Sequence, residues 1–442
     1  DIQPAQDIHL APAGEKLVTA SYDVEASPAL TAFMREGWAD RPLPHAEPAD
    51  VAPYAAKRRA LASAAFPGRP IVVAAGTPKT RNNDVAYPFR AGSDFVWLTG
   101  FSEPEAVLVM VPGFSGHTAT LFIRKSAARG ESAEFYRDRV HGSLWTGARP
   151  SLTEVSATLG LPTRPLDELD AALRALGPNP LVLRGCDAAV DTLVPAGSDD
   201  EELAATLADL RLVKDDWEIS QLASAAEASA RGFADVVREL GAAKRTSERW
   251  IEGTFWRRAR VEGNDTGYSS IAAAGEHACV LHWTRDDGPV RDGDLLLLDA
   301  GVEARSLYTA DVTRTLPING RFSEPQRRVY DLVFSAQEAG LAAVRPDAAF
   351  RDYWRAAQQV LADGLVSWGI LPASAADLDG PDGDLHRRYT LHGTGHMLGL
   401  DVHDCASARA SNYHEGTLEV GNVLTVEPGL YFQTDDLTVP PE

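Results

Sequence analysis

Cysteine is scarce in this chain of 442 residues, which contains only Cys186, Cys279 and Cys405. The three lie far apart and form no Cys-X-X-Cys pair, which argues against a disulfide framework and against a thiolate zinc ribbon. An odd number of widely spaced thiols is typical of a reducing compartment. We therefore expect a cytoplasmic protein.

Basic residues are also few, with 42 Lys and Arg against 63 Asp and Glu, which gives a formal net charge of −21 at pH 7. Such an excess of negative charge disfavours binding to a phosphate backbone or to an anionic lipid surface. Long apolar runs are missing as well, since none approaches the roughly 20 residues that cross a bilayer. The composition therefore predicts no nucleic-acid partner and no membrane association.

The length and the apolar content predict a folded protein of two domains. The apolar fraction is 44%, which is ordinary for a globular chain, and 442 residues exceed what one hydrophobic core usually holds. Residues 1–52 are rich in Ala, Pro and acidic residues and are interpreted as an N-terminal arm. We predict a small α/β domain over 53–205 and a second domain over 206–442.

Hydrophobic periodicity and turn residues locate the elements of both domains. In the first domain we predict a helix at 54–66, helices near Leu152 and Leu166, and strands at 70–74, 95–98, 106–111, 118–123 and 181–183. In the second we predict helices at 214–240, at 247–261, from Ser323 onward and at 353–368, and strands at 268–273, 278–283, 294–302, 310–316 and 422–432.

Three carboxylates interrupt apolar strands of the second domain. Asp299 follows four leucines in LLLLDAGVE, Asp311 lies in ADVTRT, and Glu427 lies in LTVEPGLYF. A buried charge is costly unless it is paired, so each needs a partner. Any one of them alone is more often a strand-end cap or half of a salt bridge, but two antiparallel strands could bring the two aspartates together.

Three histidines fall within twelve positions of LHGTGHMLGLDVHD, at His392, His396 and His403, although the chain has only 11 histidines. Metal binding or proton transfer is the usual reason for such a cluster. Three carboxylates and an imidazole form an oxygen-rich ligand set. Such a set is typical of sites for Mn(II), Co(II) or a similar divalent ion, and not of a thiolate-type zinc site. Two such ions can activate a shared water as hydroxide at neutral pH, which predicts amide hydrolysis without a covalent intermediate.

Four separated motifs, DAG (299–301), DVTRT (311–315), HGTGHMLGLDVHD (392–404) and VEPGLY (426–431), closely resemble signatures of the pita-bread metallopeptidases, in the aminopeptidase P and prolidase branch. FRAGSDFVWLTGFSEPEAVLVM, residues 89–110, resembles the N-terminal domain of aminopeptidase P. The resemblance implies an α/β, or α+β, fold in which a creatinase/prolidase-like domain precedes a pita-bread catalytic domain.

The same resemblance implies a ligand set for two divalent metal ions, with Mn(II) favoured and Co(II) or Zn(II) as alternatives. Asp299 would chelate one ion and Asp311 would bridge the two. His396 and Glu427 would bind the other ion.

The resemblance also implies roles outside the metal shell for three further histidines. His282 and His403 would face the substrate and support the tetrahedral intermediate, and His392 would lie just outside the metal ligands. Without the family motif, His282 could equally well be interpreted as an ordinary buried histidine or as a functional one. We interpret Tyr268 and Tyr431 as packing residues.

The implied activity is that of a metalloaminopeptidase, a hydrolase that removes an N-terminal residue preceding proline from peptides. A homo-oligomer, dimer or tetramer, is expected on the resemblance of the N-terminal domain. Two alternatives stay open: a prolidase, which needs a free carboxylate on the proline of a dipeptide, and a pita-bread binding module that has lost its metals.

One feature departs from the family pattern. The family completes its site with a second bridging glutamate in a strand shortly after VEPGLY, and the sequence ends at Glu442 in a proline-containing segment that precedes that strand. The resemblance therefore implies that the catalytic domain is truncated and that the fifth protein ligand is absent from this sequence.

Overall fold

The computed structural model describes residues 26–39, 47–83, 85–126 and 133–439. Most of the predicted N-terminal arm and Glu442, the last residue of the sequence, lie outside these residues. The described piece of the arm contains one helix, which Ser27 caps by accepting the N–H of Leu30 at 3.1 Å. Among the described residues, none of the helices combines the length and the apolar character that a bilayer crossing requires.

The first half of the chain alternates short helices with short strands. The helices are α1 (Pro28–Arg35), α2 (Ala52–Ala65), α3 (Ser93–Thr99), α4 (Glu134–Arg137), α5 (Ser143–Thr146), α6 (Leu152–Leu159), α7 (Leu169–Arg174), α8 (Ala188–Leu193) and α9 (Asp200–Arg211). The strands are β1 (Ile71–Ala74), β2 (Thr80–Asn82), β3 (Val85–Ala86), β4 (Val107–Gly113), β5 (Gly116–Ile123), β6 (Thr163–Pro165) and β7 (Leu181–Val182).

A mixed five-stranded sheet, in the order β6-β5-β4-β1-β7, forms the centre of this half. β4 pairs antiparallel with β1 and β5, whereas β7 and β6 join parallel at the edges. Along β1, Ile71 and Val73 belong to one apolar cluster, and Val72 and Ala74 to another. Strand β1 is therefore buried on both faces, which explains why it is a continuous apolar run without polar alternation.

The predicted strand at 95–98 is wrong, because these residues lie in helix α3. All residues from Phe95 to Thr99 are buried, and a short buried apolar run has no periodicity that separates strand from helix. The helix ends at Gly100, whose φ of 71° is left-handed. The other predicted strands of this half, at 70–74, 106–111, 118–123 and 181–183, are confirmed within a few residues.

The second half has long helices around a small sheet. The helices are α10 (Asp216–Ala243), α11 (Glu248–Glu262), α12 (Glu324–Ala343) and α13 (Phe350–Ser367). The strands are β8 (Asp265–Thr266), β9 (Ile271–Ala274), β10 (Leu295–Asp299), β11 (Val302–Glu303) and β12 (Thr313–Pro317). All four predicted helices are confirmed, and Ser323 caps α12 through a capping box, as its position before Pro325 predicted.

Four strand predictions in this half need correction. Residues 278–283 contain the end of a 3-10 helix, Gly275–Cys279, and a turn. Residues 422–432 form no strand, although Leu424 makes an isolated bridge with Met397. The predicted strands at 268–273 and 310–316 begin later, at Ile271 and Thr313. In the 422–432 segment the backbone N–H groups of Thr425, Glu427 and Tyr431 bond to carbonyls of the 389–396 segment.

The central sheet of this half has the order β12-β10-β9 and is antiparallel throughout. Leu296 and Leu298 of β10 are fully buried against α10 and α11 in one apolar cluster. The two halves of the chain also share a cluster, in which Leu398 and Leu400 pack with residues of the first sheet. The first domain therefore supports the segment that leads to His403.

Candidate metal centre

Asp299 and Asp311 are neighbours because the ends of two paired strands carry them. Asp299 is the last residue of β10 and pairs with Thr313, the first residue of β12, so Asp311 lies just before the partner strand. The chain at Gly301 passes very close to this segment, since a Cβ there would lie 1.7 Å from the Ala310 carbonyl oxygen. The glycine of the DAG motif is thus required by the close approach of the two aspartate segments.

His396 and Glu427 lie on two segments joined by backbone bonds. Thr425 N–H donates to the His396 carbonyl at 2.9 Å, and Glu427 N–H donates to the Thr394 carbonyl at 2.6 Å. The Thr425 hydroxyl accepts from His396 N–H at 3.0 Å and donates to Glu427 Oε1 at 2.7 Å. A Cβ on Gly395 would lie 2.0 Å from the Thr425 carbonyl, so this contact also requires glycine.

Asp311, His396 and Glu427 present ligand atoms that all lie within 4.8 Å of one another. His396 Nε2 lies 3.2 Å from Asp311 Oδ2 and 3.1 Å from Glu427 Oε1. On the other side of the ring, Nδ1 donates to the Met397 carbonyl at 3.0 Å, which fixes the ring with Nε2 toward the carboxylates. This donor set fits a divalent metal ion.

Asp299 joins the group through the hydroxyl of Tyr268. Tyr268 Oη lies 2.5 Å from Asp299 Oδ1 and 2.9 Å from Asp311 Oδ1. Burial, followed by the charge of Asp311, raises the pKa of Asp299 to about 7. The like charges of the two aspartates repel, and a bound divalent cation would offset that repulsion.

The electrostatic field of the group favours a positive charge on His396. Burial alone would lower the pKa of His396, but its hydrogen bonds with Asp311 and Glu427 outweigh burial and raise that pKa to about 10. The same two carboxylates that hold a proton on Nε2 would hold a metal ion in its place, because ligand binding and proton binding compete for one lone pair.

Two of the other predicted site histidines lie together beside the cluster. The His403 ring lies edge-on to that of His396, with centroids 4.4 Å apart. Burial and the charge of His396 lower the pKa of His403, which keeps its imidazole neutral near pH 7. His282 is exposed and close enough to His403 to contribute to that shift. The geometry thus separates these two histidines from the ligand atoms.

His392 faces a different partner, Tyr431. Its Nδ1 donates to the Gly393 carbonyl at 2.7 Å, and its Nε2 therefore accepts from the Tyr431 hydroxyl at 2.8 Å. Tyr431 and Tyr268, which we interpreted as packing residues, thus both place hydroxyls in or beside the site. Tyr431 lies within the VEPGLY motif and could have been selected there, whereas no motif marks Tyr268.

The residues on either side of His403 are tied to the first domain. Arg211 is buried and donates to Asp94 at 2.8 Å and to Asp401 at 3.0 Å, and it also bonds Asp404. Asp94 belongs to helix α3 of the first domain, whereas Asp401 and Asp404 flank the histidine. One guanidinium therefore connects the two domains at the edge of the site.

Comparison with known proteins finds a family match in each half of the chain. Residues 54–181 match the aminopeptidase P N-terminal domain, and residues 220–439 match metallopeptidase family M24. Xaa-Pro aminopeptidase 1 of Streptomyces coelicolor is 54% identical over 418 residues, which cover 92% of this chain and 83% of that protein. The Xaa-Pro aminopeptidase of Escherichia coli is 32% identical over 393 residues, 86% of each chain.

Solved structures agree with this comparison. The low-pH form of aminopeptidase P from Escherichia coli superposes with a TM-score of 0.76 at 30% identity, covering 87% of this chain and 88% of the other. The match confirms the predicted arrangement of a creatinase/prolidase-like domain followed by a pita-bread domain.

Proposed function

Because the chain belongs to metallopeptidase family M24, in its Xaa-Pro aminopeptidase branch, we propose that it hydrolyses the bond between an N-terminal residue and a following proline. The observation that carries this proposal is the convergence of Asp311, His396 and Glu427 in a chain 54% identical to a Xaa-Pro aminopeptidase. The substrates would be peptides with proline in the second position.

We propose that the site holds two divalent ions. Asp299 and Asp311 would bind one, His396 and Glu427 the other, and Asp311 would belong to both. The raised pKa of Asp299 and the orientation of His396 Nε2 support this assignment, because both are properties of a site that favours added positive charge. When bound, the ions would supply Lewis-acid activation of water and of the scissile carbonyl. Mn(II) is our first choice, with Co(II) or Zn(II) as alternatives.

The histidines outside the ligand set would act on the substrate directly. His403 is neutral near pH 7 because its pKa is lowered, so it can donate a hydrogen bond to an oxygen that gains negative charge during attack. His282 is exposed, lies close enough to His403 to contribute to the shift of its pKa, and would contact the same part of the substrate. His392, whose Nε2 accepts from Tyr431, would orient a group just outside the metal ligands.

We also propose a domain boundary, a cellular location and an oligomeric state. The domain boundary we propose, between 205 and 206, falls in helix α9, and the short link between α9 and α10 lies within a few residues of it. A cytoplasmic location is supported by the three free cysteines, which fit a reducing compartment. A homo-oligomer, dimer or tetramer, is proposed from the resemblance of the N-terminal domain alone.

The test compares peptide cleavage by the purified protein before and after metal removal. We expect release of the first residue from an Xaa-Pro-Xaa tripeptide, little cleavage of an Xaa-Pro dipeptide, and no cleavage of an Xaa-Ala-Xaa control. Activity should disappear with a chelator and return with Mn(II), Co(II) or Zn(II). Preference for the dipeptide would identify a prolidase, and a protein without metal and without hydrolysis would identify a binding module.

A further inference from the structure

A single buried carboxylate holds the loop that carries His282. Glu248, in the first turn of α11, has an exposed fraction of 0%. Its two oxygens accept four hydrogen bonds, all from the 274–288 loop. The donors are Ala274 N–H at 2.7 Å, His277 Nδ1 at 2.9 Å, Trp283 Nε1 at 2.8 Å and Gly288 N–H at 2.7 Å. A carboxylate offers about four acceptor positions, so Glu248 is saturated.

Stacking tightens the same loop around this carboxylate. The rings of His277 and Trp283 are stacked with centroids 3.7 Å apart and planes at 20°. The Arg285 guanidinium lies 4.3 Å from the centroid of the indole ring. A Cβ on Gly288 would lie 2.3 Å from the His277 ring, which leaves no space for a side chain there. The loop is therefore packed closely on Glu248, and His282 lies directly beside its anchored tryptophan.

The loop is also attached to the segment that follows Glu427. Cys279 Sγ donates to the Phe432 carbonyl at 3.2 Å, and Gln433 Nε2 donates to the Cys279 carbonyl at 2.7 Å. The loop thus connects helix α11 with the edge of the candidate metal centre. A displacement of Trp283 would be passed to the adjacent His282, because no residue separates the two.

We propose that Glu248 is a positioning residue that fixes His282 next to His403 through its bond to Trp283, without touching the substrate. The inference rests on the proposed function, since His282 has a role in the reaction only there. A charged group buried this deeply is unfavourable unless every acceptor is used. Here all four bonds are made to one loop, and the one exposed histidine of that loop lies beside the candidate site.

The test begins with Glu248→Gln, which keeps the volume but replaces an accepting oxygen by an amino group. Two of the four donors would then face a donor, so the loop should shift. We expect kcat/KM for an Xaa-Pro-Xaa peptide to fall about 10- to 100-fold, mainly through kcat, with unchanged metal content. The control is Asp200→Asn, a buried carboxylate of the first domain that accepts from Val182 N–H and Gly197 N–H. It should lower thermal stability without lowering kcat.

A double-mutant cycle separates positioning from general destabilisation. If Glu248 acts through His282, then His282→Ala combined with Glu248→Gln should be no slower than His282→Ala alone. If the losses of kcat/KM in the two single variants multiply in the double variant, the inference is overturned and the role of His282 stays intact. An unimpaired His282→Ala would overturn that role and the inference with it.

Should Glu248→Gln fail to fold, Trp283→Phe is the second variant, because it removes one donor to Glu248 and keeps a stacking ring. In the wild-type background it should lower kcat by less than Glu248→Gln does. In the His282→Ala background it should lower kcat no further. Losses that multiply there would overturn the inference as well.

Discussion

The ring of His403 stands edge-on to the ring of His396, with centroids 4.4 Å apart and planes at 84°. His396 turns its Nε2 toward Asp311 and Glu427, and the second histidine therefore lies beside the cluster without competing for its ligand positions. A neutral imidazole in this place can donate to a developing oxyanion. The geometry thus distinguishes His396, whose Nε2 faces the two carboxylates, from His403, which lies beside them.

The first prediction concerns that separation. His403→Ala should lower kcat/KM on an Xaa-Pro-Xaa peptide by about 10²-fold, the usual scale for a positioned donor or acid–base group, while metal content stays unchanged. Steady-state kinetics and metal analysis of the same preparations measure both. His414→Ala, an exposed histidine stacked on Tyr413, is the control and should remain fully active. Equal kinetics for both variants would assign His403 to packing.

A second prediction tests the hydroxyl shared by the two aspartates. Tyr268→Phe leaves the partly buried ring in place and removes the only group that contacts both Asp299 and Asp311 at hydrogen-bond distance in the described structure. We expect divalent-metal affinity to fall about 10- to 100-fold, because the aspartates lose the partner that orients them. Titration of the metal-free protein measures the change. Tyr308→Phe, which loses a bond to Glu218, is the matched control, and a similar loss of affinity in both variants would contradict the prediction.

The third prediction removes a ligand candidate directly. Asp311→Asn keeps the shape of the side chain but lowers the negative charge at the centre of the cluster. Metal affinity should fall by more than the 10- to 100-fold typical of groups that only orient ligands, and peptide cleavage should be lost with it. Asp292→Asn, an exposed carboxylate paired with Lys244, is the control. Full metal content in the Asp311 variant would exclude this aspartate as a ligand.

The sequence motifs could mark Asp299 and His396 because a local constraint lies next to each of them. The DAG glycine allows the close approach next to Asp299, and Gly395 does the same next to His396. Such constraints involve residues that are neighbours in the chain, so they are recognisable in the sequence. The bond between Tyr268 and Asp311 joins residues 43 positions apart and has no such local mark.

The failed strand predictions have a related cause. Residues 278–283 look like a strand because they form a short, mostly apolar run, but the indole of Trp283 and the backbone of the flanking Gly288 are bonded to Glu248 from another helix. Residues 95–98 look like a strand because they are apolar, yet they are buried on all sides of a short helix. Tertiary contacts determine the secondary structure of such short runs, and these contacts cannot be read from local propensity.

The fourth prediction concerns the pH dependence of stability in metal-free protein. The folded-state pKa of His396 is raised to about 10 from 6.5, so the folded state binds this proton more tightly than the unfolded chain. The resulting stabilisation is fully present below pH 6.5 and is lost as the pH rises through about 10. The pKa of Asp299 is raised to about 7 from 3.8, which likewise makes stability fall as the pH rises between those values.

Thermal unfolding in the presence of a chelator tests this with wild type and His396→Asn. The asparagine cannot take up a proton, so wild type should have the higher Tm near pH 6.5, and the difference should shrink steadily toward pH 10. Divalent metal should reverse the trend in wild type, because deprotonated ligands bind the ion more tightly as the pH rises. His414→Asn serves as the control for losing an exposed histidine. A Tm difference that grows with pH in the metal-free pair would show that the two carboxylates do not hold a proton on His396.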